Sequence, residues 1–445
     1  MFILAAILPV GCARAPLNAP LARVDPSSGY RARTGAASRD GTGLMVALFF
    51  SGGGTRAAAF SYGVLRELAA TPLAGGRRML DQVSTINAVS GGSFTAAYYC
   101  LFGERIFSEY EGLFLKRDVQ KELVSLCLSP ANAARLWSSY YGRSDLAATY
   151  YDEILFKGAT FSDLASAGPA RPFLVINATD IGTGTPFPFT QEQFDRIGSD
   201  LGRFPVARAV AASAAFPIVF SPITLKNYAD RTPHPGPVLS QQVQGGSDVF
   251  AGYRAALTEA SRTYGDVAKH PYIYLMDGGL TDNLSLRNLL DGVTLAGGWE
   301  VVMGRLRRLG VTRLAVIVVD GTVDAEPQEA GSGEIPGSNS VVSTIGSSSI
   351  NRTNRETLAL VESSLALHQS RAGGQPRICL IRVDFHMSPD AAERAFFQSV
   401  PTNLSLPART VDRLVEAGGR LLRESPAYRD LIRDLVVSGA ASRNP

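Results

Sequence analysis

Two strand–turn–helix units near the start of the chain constrain its fold more than any other feature. In the first, a near-continuous apolar run at 43–50 (GLMVALFF) leads directly into the glycine-rich turn at 51–54 (SGGG) and then into a helical pattern over 55–69. In the second, a short apolar stretch at 83–89 leads into the turn at 90–92 (SGG) and another helix-like stretch. Such apolar runs are typical of strands buried on both faces of a parallel sheet. The chain is therefore expected to build an α/β sheet from βαβ units.

The rest of the chain continues this pattern without an internal repeat. Further strands are predicted at 172–179, 271–276, 313–320 and 377–385. Helices are predicted over much of 105–166, over 339–370 and over 408–422. Although 445 residues could form about three average domains, one large α/β domain with insertions fits the pattern as well.

Composition excludes several classes of protein. With 45% hydrophobic and 19% charged residues, the chain can bury a sizeable core, which excludes wholesale disorder. A net charge of +3 is too small to indicate a nucleic-acid partner. Four cysteines without a CxxC pair and four scattered histidines give no metal-ligand spacing, so neither a metal nor another cofactor is expected.

The N-terminus carries a candidate export signal. Residues 2–10 form an apolar run that is too short to span a bilayer, and it ends in Gly11-Cys12 in a way that resembles a bacterial lipobox. We expect an exported outer-membrane or periplasmic lipoprotein with a lipid on Cys12. An ordinary secretory signal, or an apolar terminus on a cytoplasmic protein, are the alternatives, since no basic residue precedes the run.

The predicted organisation has four parts. They are a signal at 1–12, a flexible tether at 13–42, the α/β domain at 43–430 and a C-terminal tail at 431–445. Within the domain we predict a helical insertion at about 105–166 and a polar surface excursion at about 227–248.

The most informative chemical feature is the pentapeptide AVSGG at 88–92, which lies where a predicted strand meets a predicted helix. A sharp turn at such a junction exposes the serine oxygen at the carboxyl edge of the sheet. The usual pattern is G-x-S-x-G, and Ala88 replaces its first glycine with the next smallest residue. We predict that Ser90 is a nucleophile; the alternative is a serine that caps the helix, with glycines for close packing.

A second candidate feature is the glycine turn after the first strand. Successive backbone N–H groups of Gly52, Gly53 and Gly54 can point at one spot and stabilise a developing oxyanion. Arg56 adds a positive charge beside the turn, suited either to a phosphate head group or to steadying the loop. The glycine spacing fits neither common nucleotide-binding pattern. A purely structural tight turn is the alternative.

A serine hydroxyl needs a base to become a nucleophile. Asp277, followed by two glycines, comes directly after the predicted strand at 271–276, so its carboxylate is expected at the active edge of the sheet. An Asp-Gly turn or a helix cap would be the structural alternative. His386 also follows a predicted strand and is the best histidine candidate, which leaves open a Ser-His-Asp esterase of the α/β-hydrolase type.

Taken in order, these features resemble the patatin-like phospholipases, which are lipid acyl hydrolases with a Ser–Asp dyad. The segment SGGGTR at 51–56 is similar to their oxyanion loop, although Ser51 stands where that family often has Asp and Ala57 where it often has Gly. The segments NATD at 177–180, SAAFP at 213–217 and DGGLTDNL at 277–284 resemble further blocks of the family. The similarity extends from about residue 44 to residue 283 and more weakly to about 430.

The resemblance implies a three-layer α/β/α fold with a mainly parallel sheet and a calcium-independent acyl-enzyme mechanism. In that scheme Asp277 takes the proton as Ser90 attacks an ester, and N–H groups of Gly52–Gly54 and of Gly91 hold the oxyanion. The implied partners are a phospholipid or other acyl lipid and a membrane surface, with no nucleic acid; the oligomeric state is open. A third interpretation is a lipoprotein whose hydrolase site is dead and which serves in binding.

Overall fold

The computed structural model of the protein describes residues 17–32, 42–232, 251–324, 337–371 and 376–441. Strands in these ranges are β1 (Leu44–Phe50), β2 (Pro72–Leu73), β3 (Arg77–Arg78), β4 (Val83–Val89), β5 (Phe173–Asp180), β6 (Thr185–Pro188), β7 (Ile223–Lys226), β8 (Tyr272–Asp277), β9 (Arg313–Asp320) and β10 (Arg377–Asp384). All six predicted strands are confirmed, and the bounds of β4 and β9 are those expected.

Helices connect these strands. They are α1 (Gly54–Ala70), α2 (Gly91–Phe102), α3 (Ile106–Tyr110), α4 (Val119–Leu128), α5 (Pro130–Leu136), α6 (Arg143–Tyr151), α7 (Phe161–Ser166), α8 (Gln191–Arg196), α9 (Val206–Ser213), α10 (Ala251–Thr263), α11 (Gly279–Asp282), α12 (Arg287–Leu295), α13 (Trp299–Arg308), α14 (Ser338–Arg371), α15 (Ala391–Ser399), α16 (Ala408–Glu424) and α17 (Pro426–Ala441). Short 3₁₀ turns lie at Met79–Gln82, Gly103–Arg105 and Phe385–Met387, and π-helical turns at Glu111–Leu115 and Asp152–Phe156.

The central sheet is mainly parallel, with antiparallel strands on one side. Its order is β10-β9-β1-β4-β5-β8-β7, and β6 also pairs with β5. Pairing is parallel between neighbouring strands from β10 to β5 in this order. Strands β6 and β8 run antiparallel to β5, and β7 antiparallel to β8. Because β1 and β4 are parallel neighbours, the loops that follow them leave the sheet side by side.

Both faces of the sheet are covered, as the alternation along β1 shows. Leu44, Val46, Leu48 and Phe50 belong to a core formed with helices such as α1, α2 and α16. Ala47 and Phe49 belong to a second core, which includes the buried residues Leu290, Trp299 and Leu365 of α12, α13 and α14. The predicted three-layer α/β/α arrangement is therefore confirmed.

The N-terminal segment differs from the predicted flexible tether. Tyr30 is buried, its ring is 4.7 Å from that of Phe173, and its hydroxyl accepts a hydrogen bond from the Leu174 N–H at 2.8 Å. Asn18 is also buried and binds Ser199. The tether prediction is thus wrong for residues 17–32, because an aromatic anchor and a buried amide fix them to the domain. Residues 1–16, with Cys12, and 33–41 lie outside the described residues.

Two other predicted boundaries change. The predicted polar excursion begins with two buried residues, Asn227 and Tyr228. The Asn227 amide donates to two backbone carbonyls of the segment that leads into β8. Residues 233–248 of that excursion lie outside the described residues. The predicted tail at 431–445 begins inside α17, whose Leu431 is buried in the core. The domain therefore continues to at least residue 441.

The predicted helical regions are found. Residues 105–166 are largely helical, and the Ser129 hydroxyl accepts the Asn132 N–H to cap α5, as the Ser-Pro pair suggests. Within the described part of the chain, no helix is long and apolar enough to cross a membrane. In the same residues, no disulfide joins Cys100, Cys127 and Cys379.

Candidate active site

Ser90 lies at a strained turn between β4 and α2. Its backbone angles are φ 50° and ψ −120°, an uncommon conformation for a residue with a side chain. Although Ser90 occupies the N-cap position of α2, its side chain makes no capping hydrogen bond. The side chain of Ser90 therefore does not cap the helix, and the structural alternative for this residue does not hold. Ala88, in place of the usual glycine, is fully buried within β4, where a methyl group is accommodated.

The hydroxyl of Ser90 donates to Oδ2 of Asp277 over 2.9 Å. Both residues are buried, with 8% and 6% of their surfaces exposed. The other carboxylate oxygen of Asp277 accepts the N–H of Gly279 at 2.8 Å. Serine and carboxylate are therefore in direct contact, and the second oxygen is fixed by the following turn.

Burial controls the charge of this carboxylate. Loss of water raises the pKa of Asp277 to about 6, although the hydrogen bonds from Gly279 and Ser90 act in the opposite direction. A carboxylate with this pKa is ionised at neutral pH and is a stronger base than an exposed one. It can therefore accept a proton from a serine hydroxyl as that oxygen forms a bond.

Asp277 reaches the site by a route that the sequence does not predict. Its strand β8 is antiparallel to β5 and pairs only through Leu275, Met276 and Asp277. Strand β8 therefore begins beyond the carboxyl end of β5, and its last residue, Asp277, lies opposite Ala178. The Thr179 hydroxyl donates to the Asp277 carbonyl oxygen at 2.8 Å and holds this end in place.

The glycine turn at 51–54 lies against the serine turn. A Cβ placed on Gly91 would lie 2.1 Å from the carbonyl oxygen of Gly54 and 2.7 Å from its nitrogen, so only glycine fits there. Gly53 has φ 136°, which a residue with a side chain rarely adopts. The two turns can approach this closely because β1 and β4 are adjacent, with Phe50 opposite Ala88.

The structure differs from the prediction at Gly52. Its N–H donates to the carbonyl oxygen of Asn283 at 3.1 Å and is not available to a substrate. Among the described residues, the N–H groups of Gly53, Gly54 and Gly91 have no hydrogen-bond acceptor. These three N–H groups are therefore available to a substrate oxygen, whereas the N–H of Gly52 fixes the loop.

The contacts of Arg56 fit the second of its two predicted roles, support of the loop. Only 2% of its surface is exposed, and its guanidinium donates to the carbonyl oxygens of Gly321 and Val400 and to the hydroxyl of Thr402. Burial lowers the pKa of Arg56 to about 10, which leaves it charged at neutral pH. Arg56 therefore joins the glycine turn to two neighbouring loops by hydrogen bonds.

The remaining sequence blocks meet at the same place. Ser213 accepts the N–H of Ser90 at 2.8 Å and donates to the carbonyl oxygen of Asn177 at 2.6 Å. The N–H of Asp277 donates to the carbonyl oxygen of Ala215 at 3.0 Å. The segments at 177–180 and 213–217 thus hold the serine turn and the aspartate strand in register.

Asn283 is a candidate site residue to which the sequence alone assigns no role. Besides accepting the Gly52 N–H, it is 95% buried, and a Cβ on Gly52 would lie 2.3 Å from its side-chain oxygen. Its amide nitrogen has no hydrogen-bond partner among the described residues. Its place six residues after Asp277, in the same motif, is the only signal in the sequence that points to it.

The candidate histidine base lies elsewhere. His386 follows β10, which is three strands away from β4 in the sheet, and its ring faces Asp324 at 3.7 Å. Its side chain is 60% exposed. His368 is buried beside Trp299, and His270 precedes β8, whereas His234 lies outside the described residues. Of the described histidines, none hydrogen-bonds Ser90 or Asp277. No group of three or more metal-ligating side chains that could hold an ion is found among the described residues.

Comparison with known proteins gives one family. A family model described as patatin-like phospholipase matches residues 48–290, more than half of the chain. The structures of human GIVD cytosolic phospholipase A2, alone and with methyl gamma-linolenyl fluorophosphonate, are similar at 12% and 14% identity, with TM-scores of 0.45 and 0.46. Both comparisons cover 91% of this chain, and 64% and 62% of the human chains.

A bacterial structure is also similar. VipD from Legionella pneumophila has 12% identity and a TM-score of 0.30, over 85% of this chain and 66% of its own. The chain thus spans just under two thirds of the length of each of these structures. Comparison with the curated proteins gave no match.

Proposed function

Since this chain belongs to the patatin-like phospholipase family, we propose that it is a lipid acyl hydrolase in which Ser90 and Asp277 act as a catalytic dyad. The observation that carries the proposal is the 2.9 Å hydrogen bond from the Ser90 hydroxyl to the Asp277 carboxylate. Serine as nucleophile with a carboxylate as base suits cleavage of a fatty acyl ester, as in a phospholipase A or a lysophospholipase.

The proposed reaction has two stages. Ser90 Oγ attacks the ester carbonyl while its proton passes to Asp277, and the resulting oxyanion is held by the N–H groups of Gly53, Gly54 and Gly91. The leaving alcohol takes the proton from Asp277 and departs, which leaves an acyl-serine. Water then gives a proton to Asp277 and attacks the acyl group, and the fatty acid is released as Ser90 is restored. Each step is served by protein groups, so we propose calcium independence.

Release of fatty acid from phospholipid and p-nitrophenyl ester substrates, measured with EDTA present, tests the proposal. Ser90→Ala and Asp277→Asn are each expected to lower kcat by a factor on the order of 10³ or more. His386→Ala should keep near-normal activity and serves as the matched control. If folded His386→Ala is inactive, a Ser-His-Asp esterase replaces the dyad. If the wild-type protein hydrolyses no lipid, both enzyme proposals fail, and a binding protein with an inactive hydrolase site replaces them.

The proposal includes a cellular location. We propose that the protein is exported and carries a lipid on Cys12, which the lipobox-like sequence at 8–12 supports. Comparing the membrane fraction of cells that produce wild-type protein with that of cells that produce Cys12→Ser tests this. Retention of Cys12→Ser in the same fraction and at the same mass would refute lipidation.

A further inference from the structure

An exposed apolar surface lies on the helical insertion and on the loop before β7. Trp137 is 92% exposed and Ile218 is 67% exposed. The members of this surface are Val124, Leu128, Trp137, Tyr140, Ile218 and Val219. Scattered single apolar residues are normal on a protein surface, whereas a cluster that includes Trp and Tyr indicates an interaction site.

The two parts of this surface are fixed to each other. Arg143, three residues after Tyr140, donates to the carbonyl oxygen of Ile218 at 2.9 Å. The N–H of Ser144 donates to the hydroxyl of Ser221 at 3.2 Å. The start of α6 is therefore bonded to both ends of the 218–221 segment, so the helical insertion and the loop before β7 meet beside Ile218.

Both parts of this surface are linked to the candidate active site by short stretches of chain and hydrogen bonds. Ile218 follows by three residues Ala215, whose carbonyl oxygen binds the N–H of Asp277. On the other side, Gln120 at the start of α4 accepts the N–H of Leu404 at 3.4 Å. The neighbouring residue Asn403 accepts the N–H of Thr55, directly after the glycine turn. A partner that covers this surface is therefore brought to the edge of the site.

Ile218 is held in a conformation that its side chain disfavours. Its φ is 74°, which is an outlier for a β-branched residue. Such a backbone conformation is unfavourable, and burial of the side chain within this protein does not compensate it. An exposed, strained, apolar residue at the edge of an active site is best explained by an apolar partner.

The net charge around this surface indicates what kind of partner it binds. Residues 117–143 contain four cations (Arg117, Lys121, Arg135, Arg143) and two carboxylates (Asp118, Glu122), a net charge of +2. Glu122 is already paired with Arg117 at 2.7 Å. The segment at 214–225 carries no charge. Aromatic side chains flanked by cations are typical of proteins that bind anionic bilayers.

We propose that this surface docks the protein on an anionic phospholipid bilayer, from which an acyl chain reaches Ser90. The inference rests on the proposed lipid hydrolase function for its choice of partner. Docking itself needs no catalysis, because it depends on Trp137, Tyr140 and Ile218 entering the interface while nearby cations meet anionic head groups. The two proposals can therefore fail separately.

The test measures binding of the full chain with Cys12→Ser and Ser90→Ala, so that neither a lipid anchor nor hydrolysis contributes. Vesicles of equimolar phosphatidylglycerol and phosphatidylcholine are compared with vesicles of phosphatidylcholine alone, by co-sedimentation and by tryptophan emission. The chain has two tryptophans, and Trp299 is buried, so a change in emission reports on Trp137. We expect a shift of the emission to shorter wavelength and tighter binding to the anionic vesicles.

Three variants in this background decide the question. Trp137→Ser and Ile218→Asn should each weaken binding about tenfold. Asn tolerates positive φ, so the second variant should not lower Tm, and a loss of binding there is not a loss of folding. Val436→Ser is the matched control, since Val436 on α17 is also 67% exposed.

Several results would overturn the proposal. They are no binding to either vesicle, an equal loss with Val436→Ser, and unchanged binding with both Trp137→Ser and Ile218→Asn. A dimer in solution that Trp137→Ser dissociates would assign the surface to a second copy of the chain. If the anionic vesicles are bound as expected while the protein with intact Ser90 hydrolyses no lipid, docking stands and the proposed function fails.

Discussion

Ser90 and Asp277 are 187 positions apart in the sequence, yet the hydroxyl of one donates to the carboxylate of the other at 2.9 Å. Each of the two residues is held by its own hydrogen bonds. The serine turn is held by Ser213, and the aspartate strand is held by Thr179 and Ala215. Because Ser213 and Ala215 lie in one short segment, a shift of that segment displaces both members of the pair.

The pH dependence of activity should follow Asp277. Since burial raises the pKa of its carboxyl to about 6, the base is protonated and inactive at lower pH. We expect kcat/KM to be constant above pH 7 and to fall about tenfold per pH unit well below 6. A histidine base would give a similar fall, so the profile is measured again with His386→Ala. An unchanged profile in that variant assigns the titration to the dyad, whereas full activity at pH 4.5 would contradict it.

Removing the charge of Asp277 should stabilise the fold. Between pH 4 and 6 the native protein binds more protons at this site than the unfolded chain does, so the site lowers the free energy of unfolding as pH rises through that range. Asp277→Asn should therefore be inactive and about 1–3 kcal/mol more stable than the wild-type protein at pH 8. Urea unfolding at pH 8 and pH 4 measures this. The difference should shrink at pH 4, and a variant less stable than wild type at pH 8 would count against the burial argument.

Substitution of Gly91 should damage the oxyanion donors without unfolding the protein. In Gly91→Ala the new methyl group would collide with the Gly54 carbonyl oxygen and push the two turns apart. We expect kcat to fall by a factor on the order of 10² to 10³, the usual effect of losing one such donor. Gly292→Ala in α12 is the matched control, since a Cβ there meets nothing within 4 Å. Equal activity of both variants would argue against an oxyanion role for this pair of turns.

Arg56→Met distinguishes loop support from head-group binding. Loss of the guanidinium leaves the buried carbonyl oxygens of Gly321 and Val400 unpaired, so the free energy of unfolding should fall by about 3 kcal/mol. Activity on phospholipid and on a neutral ester should fall by the same factor. Arg66→Met, on the exposed side of the same helix, is the control. A loss confined to phospholipid would assign Arg56 to the phosphate instead.

The local parts of the site were predictable from sequence because their signals are local. A buried strand, a glycine turn and a helix follow each other without interruption at 44–70 in the first unit and at 83–102 in the second. Parallel pairing of β1 and β4 then brings Gly54 and Gly91 together. From sequence alone, Asp277 could be placed at the active edge of the sheet as a candidate base for the serine, but the path of its strand could not be derived. Its strand is antiparallel and pairs with β5 over three residues, which no pattern within 271–276 encodes.

Other features depend on contacts far along the chain. Strands β6 and β7 are four residues each and owe their place to pairing with β5 and β8. Residues 17–32 have the composition of a linker, but the ring of Tyr30 packs against those of Phe161 and Phe173. The role of Gly52 also depends on a distant carbonyl, that of Asn283. In each case the sequence shows a residue that could form a contact, but it does not show which distant residue is the partner in that contact.

If Cys12 carries the proposed lipid, the docked N-terminal segment would limit how far the protein can move from the lipid surface. Thirty residues of free chain over 13–42 would reach about 100 Å when extended. Asn18, however, is bonded to Ser199 and Lys226, and only six positions separate it from Cys12, a reach of about 20 Å. A lipid on Cys12 would therefore keep the face around Ser199 within one bilayer leaflet's thickness of the lipid surface. The proposed hydrolase would then act on lipids of the membrane that holds its anchor.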